Sequence, residues 1–135
     1  MSIMMSLQGV QSFLLYFAAG FVAEAVFVLA YMAITPHHEA RLIESGNTAA
    51  AISLGGAVIG FTLPVASAIA NSVSLLDMLV WCAVALVVQL AAFLLATLFL
   101  SGLAKRIEDG NMAAAATTAT VSLAIGLLNA ASMTY

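Results

Sequence analysis

Glu24 is the only charged side chain in an apolar run, residues 10–34, long enough to cross a bilayer. A carboxyl at that depth costs at least about 2.5 kcal/mol on insertion scales, so such residues face protein or a wet cavity and are functional candidates. Gly20 and Tyr31 share its helical face at spacings of four and seven residues. A second polar group, Gln89, falls near the middle of another apolar run, on a face with Cys82, Ala85, Ala92 and Ala96. Two chemistries follow. Glu24 either handles a proton or cation, or is a neutral carboxyl hydrogen-bonded to Gln89 or Tyr31 for packing alone. Asn71 and Asn129 are further intramembrane polar candidates toward the opposite end, where they would serve as interhelical glue or ring a pore mouth.

A second group of candidates lies in the polar connections. His37, His38, Glu39 and Arg41 cluster between the first two apolar runs. Adjacent residues on a helix do not converge on one ion, and no HxxxH or HExxH spacing occurs, so a solvated surface cluster is expected and no metal. Glu44 and Glu108 each precede a Gly-Asn pair and are placed to accept from the first amides of the next helix. Asp77 is expected to cap the third spanning helix as a first-turn acid. There is no nucleophile arrangement, phosphate loop or cofactor motif, so neither an enzyme nor a cofactor is expected. A net charge of −3 carries no nucleic-acid signal.

These residues must be positioned by helices in a membrane. Of 135 residues, 64% are hydrophobic and 7% charged, with a mean hydropathy of +1.17, far from soluble-domain composition. Four runs approach or exceed the ~20 apolar residues of a spanning helix: 10–34, 48–72, 76–103 and 112–135. The first lacks a basic leader and exceeds a signal-peptide core, so it reads as a retained helix. Cys82 is the single cysteine, which excludes an intramolecular disulfide. Arg41, Lys105 and Arg106 are the only basic residues, and they place both polar connections in the cytoplasm and both termini outside.

A shift of 64 residues lays Ala40–Ala51 over Ala104–Ala115 with eight identities in twelve positions. Each half, 1–72 and 73–135, then reads as one helical hairpin, and the halves should be related by a pseudo-twofold axis along the membrane normal. The fold expected is all-α, with four transmembrane helices from a tandem duplication. Thr35-Pro36 is expected to start a short surface helix, with Thr35 as N-cap, and a shorter version is expected before the fourth span. Gly46-Asn47 and Gly110-Asn111 read as helix stop and restart. In the second span Ala49, Ser53, Gly56, Gly60, Ser67 and Asn71 share a face, matched in the fourth by Ala115, Ala119, Ser122, Gly126 and Ala130. Small residues let backbones approach, so these two helices form the central pair, with Gly56, Gly60 and Gly126 as packing positions and Pro64 as a kink. The bulkier first and third spans lie further out, and a bundle so rich in small residues is expected to oligomerise.

Tyr31-Met-Ala-Ile-Thr-Pro-His-His-Glu39, Leu42-Ile43, Gly46-Asn47-Thr-Ala-Ala-Ala51, Gly60-Phe-Thr-Leu-Pro64, Trp81, Gln89-Leu90 and Gly126-Leu-Leu-Asn-Ala-Ala131 together resemble the YjfL-like family of small bacterial inner-membrane proteins, over essentially the whole chain. The resemblance implies four helices as a duplicated hairpin in the inner membrane and, in some members, genomic company with phage-shock-type stress proteins. It carries over no catalytic or binding residue. Two functions are therefore expected to compete: a membrane partner or scaffold in envelope maintenance that recruits a cytoplasmic stress protein, and a small oligomeric channel or ion-coupled transporter using Glu24.

Overall fold

The computed structural model describes residues 2–35 and 38–135; the expectations for Pro36 and His37 fall outside them. Among the described residues there are six helices and no strand: α1 (Ile3–Ile34), α2 (Glu39–Glu44), α3 (Thr48–Asn71), α4 (Leu75–Phe99), α5 (Leu103–Glu108) and α6 (Met112–Ser132). The four long ones, α1, α3, α4 and α6, are each long and apolar enough to span a bilayer.

The first span starts at Ile3, not at residue 10, because Ser2 caps it by accepting from the Met5 amide and no breaker follows. At 32 residues, α1 is about 48 Å long. It ends at Thr35, which is its C-cap and not the N-cap of the next helix: the Thr35 N–H donates to Tyr31 O, and His38 holds the N-cap position of α2 without a side-chain capping bond. The Thr35 hydroxyl lies instead against the α1 carbonyls of Tyr31 and Met32 and against the Glu39 carboxyl.

Both short helices have six residues, so the second is not the shorter. Each ends at a left-handed glycine, Gly46 at φ +90° and Gly110 at φ +83°, where a side chain would be strained. Each is followed by an asparagine N-cap: Asn47 accepts from the Ala50 amide at 3.0 Å and Asn111 from the Ala114 amide at 3.1 Å. Glu44 and Glu108 do not serve these amides. Both are exposed, and asparagine one residue before the helix has the shorter reach. At the opposite end Ser74 caps α4 by accepting from Asp77 N–H, and Asp77 accepts from Val73 N–H.

The α3–α6 pair is the most extensive interface and the centre of the bundle. Glycine permits it. A Cβ on Gly56 would sit 2.5 Å from Ala119 Cβ, one on Gly60 2.4 Å from Ser122 O, and one on Gly126 2.1 Å from Gly60 O. Pro64 continues the same helix but has no N–H to return to Gly60 O, four residues back. The carbonyl it releases is the one that Gly126 packs against. Helix α4 packs on both members of the pair, while α1 lies outermost, against α3 and α4. Its hold depends on Gly20, Phe27 and Tyr31: Phe27 stacks on Phe61 at 4.6 Å and Tyr31 meets Phe93 edge-on at 4.9 Å. Most of the rest of α1 is exposed, including Phe13, Phe17 and Phe21.

Candidate intramembrane site

Glu24 lies two turns from Tyr31 on α1, half-buried where α1 meets α3. Its partner is Thr62, midway along α3: Thr62 Oγ1 and Glu24 Oε2 are 2.9 Å apart, and Oε1 is buried without a hydrogen-bond partner. The expected bond from Glu24 to Gln89 or Tyr31 is absent, since both are engaged elsewhere. Gln89 turns into the α3–α6 seam and donates from Nε2 to Ser122 O at 2.7 Å, its own Oε1 being buried without a partner. Tyr31 Oη lies 3.4 Å from Ser53 Oγ. Equal depth in neighbouring helices did not bring Glu24 and Gln89 together because they point to different sides of the bundle.

Thr62 was missed as a site residue. A hydroxyl at mid-span, at the depth of Glu24 in the antiparallel neighbour, was the available signal. An apolar groove of about 410 Å³ runs between α1 and α4, lined among others by Ala18, Ala19, Ala23, Phe61, Cys82 and Leu86, and neither Glu24 nor Thr62 lines it.

The other polar candidates divide. Asn129 is buried and donates to Ala85 O at 3.4 Å, joining α6 to α4 as interhelical glue. Asn71 is exposed and donates to Ser67 O of its own helix, so the two asparagines do not form a ring. At the α2 end, Glu39 is not solvated as expected but 1% exposed, held by Thr35, while His38, Arg41 and Glu44 are exposed. Burial of Glu39 follows from α2 packing against α3, which a charge pattern does not show. Across the same end, Asn47 Nδ2 donates to Ile107 O at 3.2 Å and Glu108 O at 2.9 Å, tying the first polar connection to α5.

Four apolar spans, an intramembrane carboxyl held by a hydroxyl and two polar turns at one end define a multi-pass helical membrane protein. The chain belongs to the family described as Domain of Unknown Function (DUF350), which matches residues 4–133. It is 38% identical over 129 residues to the UPF0719 inner membrane protein YjfL of Escherichia coli (strain K12), covering 96% of this chain and 98% of that one. The same identity and coverage hold for the protein of that name in Escherichia coli O157:H7. An inner-membrane, multi-pass location follows from these relatives and the four spans. No solved structure matches the chain.

Proposed function

We propose that this protein is a non-enzymatic membrane scaffold in envelope maintenance, whose α2 and α5 turns form one cytoplasmic platform for a partner protein. The observation that carries the reading is the pair of bonds from Asn47 to the Ile107 and Glu108 carbonyls, which fixes two separate connections side by side. The hollow between them, about 460 Å³, is lined by residues of both, including Ser45, Asn47, Glu108 and Asp109. His38, Arg41, Glu44, Lys105, Arg106 and Asp109 are exposed at this end. All three basic residues lie here, which by the positive-inside rule puts the platform in the cytoplasm.

A duplicated hairpin underlies the platform in this reading: α2 and α5 begin and end 64 residues apart and share the glycine stop and asparagine restart. The exposed flank of α1 is where copies of the chain associate. A second reading, an ion-coupled channel or transporter, is favoured by the Glu24–Thr62 pair at mid-span.

Complementation tests the platform. A strain lacking the protein should be sensitised to envelope stress and rescued by the wild type, but not by Arg41→Glu with Lys105→Glu, although that variant inserts and melts normally. Full rescue by the platform variant, combined with failure of Glu24→Gln, would reject the scaffold in favour of the transporter.

A further inference from the structure

The Thr62 hydroxyl has two oxygen neighbours on the acceptor side: Glu24 Oε2 at 2.9 Å and Val58 O, four residues back on its own helix, at 2.8 Å. A hydroxyl has one proton and two lone pairs, and an ionised carboxylate can only accept. If Glu24 were ionised, three oxygens would share a single proton, and one of the two close contacts would be a pair of bare oxygens. Threonine in a helix habitually gives its proton to the carbonyl four residues back. That leaves the Thr62 lone pairs facing Glu24, which must then be the donor.

Two further observations point the same way. Glu24 Oε1 is buried with no donor, which is tolerable for the carbonyl oxygen of a neutral carboxyl and very costly for half of a carboxylate. No cation is at hand to compensate a charge. Neither α1 nor the helices it packs against, α3 and α4, contain a basic residue. The remaining titratable groups on them are Tyr16 and Tyr31 on α1 and Asp77 and Cys82 on α4, with none on α3.

We propose that Glu24 and Thr62 form a proton-binding site: Glu24 donates to Thr62 Oγ1, Thr62 donates to Val58 O, and the bound solvent proton fastens α1 to α3. The fastening matters because α1 is the most exposed of the four spans.

Infrared spectra of the full-length protein in phospholipid vesicles at neutral pH test this, with Glu24→Gln as the difference reference. The wild type should show the carbonyl stretch of a protonated carboxyl, shifted in D2O and absent in Glu24→Gln. Thr62→Val should move that band upward, because the accepting hydroxyl is gone. Carboxylate bands alone, or a band that Thr62→Val leaves in place, would overturn the site. For the fastening, a cysteine pair at Phe17 and Ile69, which line one hollow between α1 and α3, is trapped as a disulfide in a Cys82→Ala background. Glu24→Gln, whose carboxamide can still donate to Thr62, should trap as well as wild type, and Glu24→Ala several-fold less. Equal trapping in all three would overturn the fastening role.

Discussion

At the residue scale, the glycines are not equivalent. Gly60 and Gly126 are pressed against the partner backbone, while a Cβ on Gly55 would meet nothing within 4 Å. Gly60→Ala or Gly126→Ala should therefore cost at least the ~1–3 kcal/mol typical of overpacking, whereas Gly55→Ala should be neutral or stabilise by up to about 1 kcal/mol through helix propensity. Unfolding in detergent followed by Trp81 fluorescence separates them, and equal effects at Gly55 and Gly60 would reject the close α3–α6 contact. Gln89 is a weaker test. It loses one bond to Ser122 O on mutation but also carries a buried, unpartnered oxygen. Gln89→Met should cost no more than about 0.6 kcal/mol, the average for a hydrogen bond within a membrane bundle.

At the element scale, the two asparagine caps look alike in sequence but differ in reach. Asn111 serves its own helix, whereas Asn47 also donates to two carbonyls of α5. Asn111→Ala should cost about 1 kcal/mol for the lost cap, and Asn47→Ala clearly more, because the platform comes apart as well. Melting the two variants side by side checks this; equal losses would mean that the bridge contributes nothing.

On α5, Lys105 donates to Asp109 at 2.9 Å, and that hydrogen bond, reinforced by the charges of Asp109 and Glu108, holds the Lys105 ammonium above its ordinary value. A raised lysine value means that any stabilisation is present at neutral pH and lost only as pH climbs through the lysine range. Both side chains are exposed, so the pair contributes little. Asp109→Asn should leave the melting temperature at pH 7 unchanged; a marked fall would show the platform to be more enclosed than this.

At the scale of the whole molecule, the three basic residues all lie on the end that carries α2 and α5, and the positive-inside rule predicts an orientation from them. Both termini should then lie outside the cytoplasm. Membrane-impermeant maleimide should label Ser2→Cys and Ser132→Cys in intact spheroplasts, with buried Cys82 silent; labelling only after lysis would invert the topology and with it the placement of the platform. The spans are unequal as well: α1 outruns α6 by eleven residues and is by far the least buried. Its exposed flank, with Phe13, Phe17 and Phe21, belongs to lipid or to a second copy.

The sequence by itself determined the four spans, the glycine stops, the asparagine caps and the α3–α6 pairing. Each depends on a local property: length of an apolar run, a left-handed turn, a side chain that reaches three residues on, or a face of small residues that only another backbone can fill. It also marked Glu24, because an acid in an apolar run is costly wherever it points. Only the tertiary structure decided what Glu24 touches. Depth along the membrane normal is readable from residue counts, but rotation about a helix axis is not. That rotation turned Gln89 toward Ser122 and left Thr62 for Glu24. The packing of α2 against α3 is of the same kind: Glu39 is buried there, against Thr35, where polarity alone pointed to water.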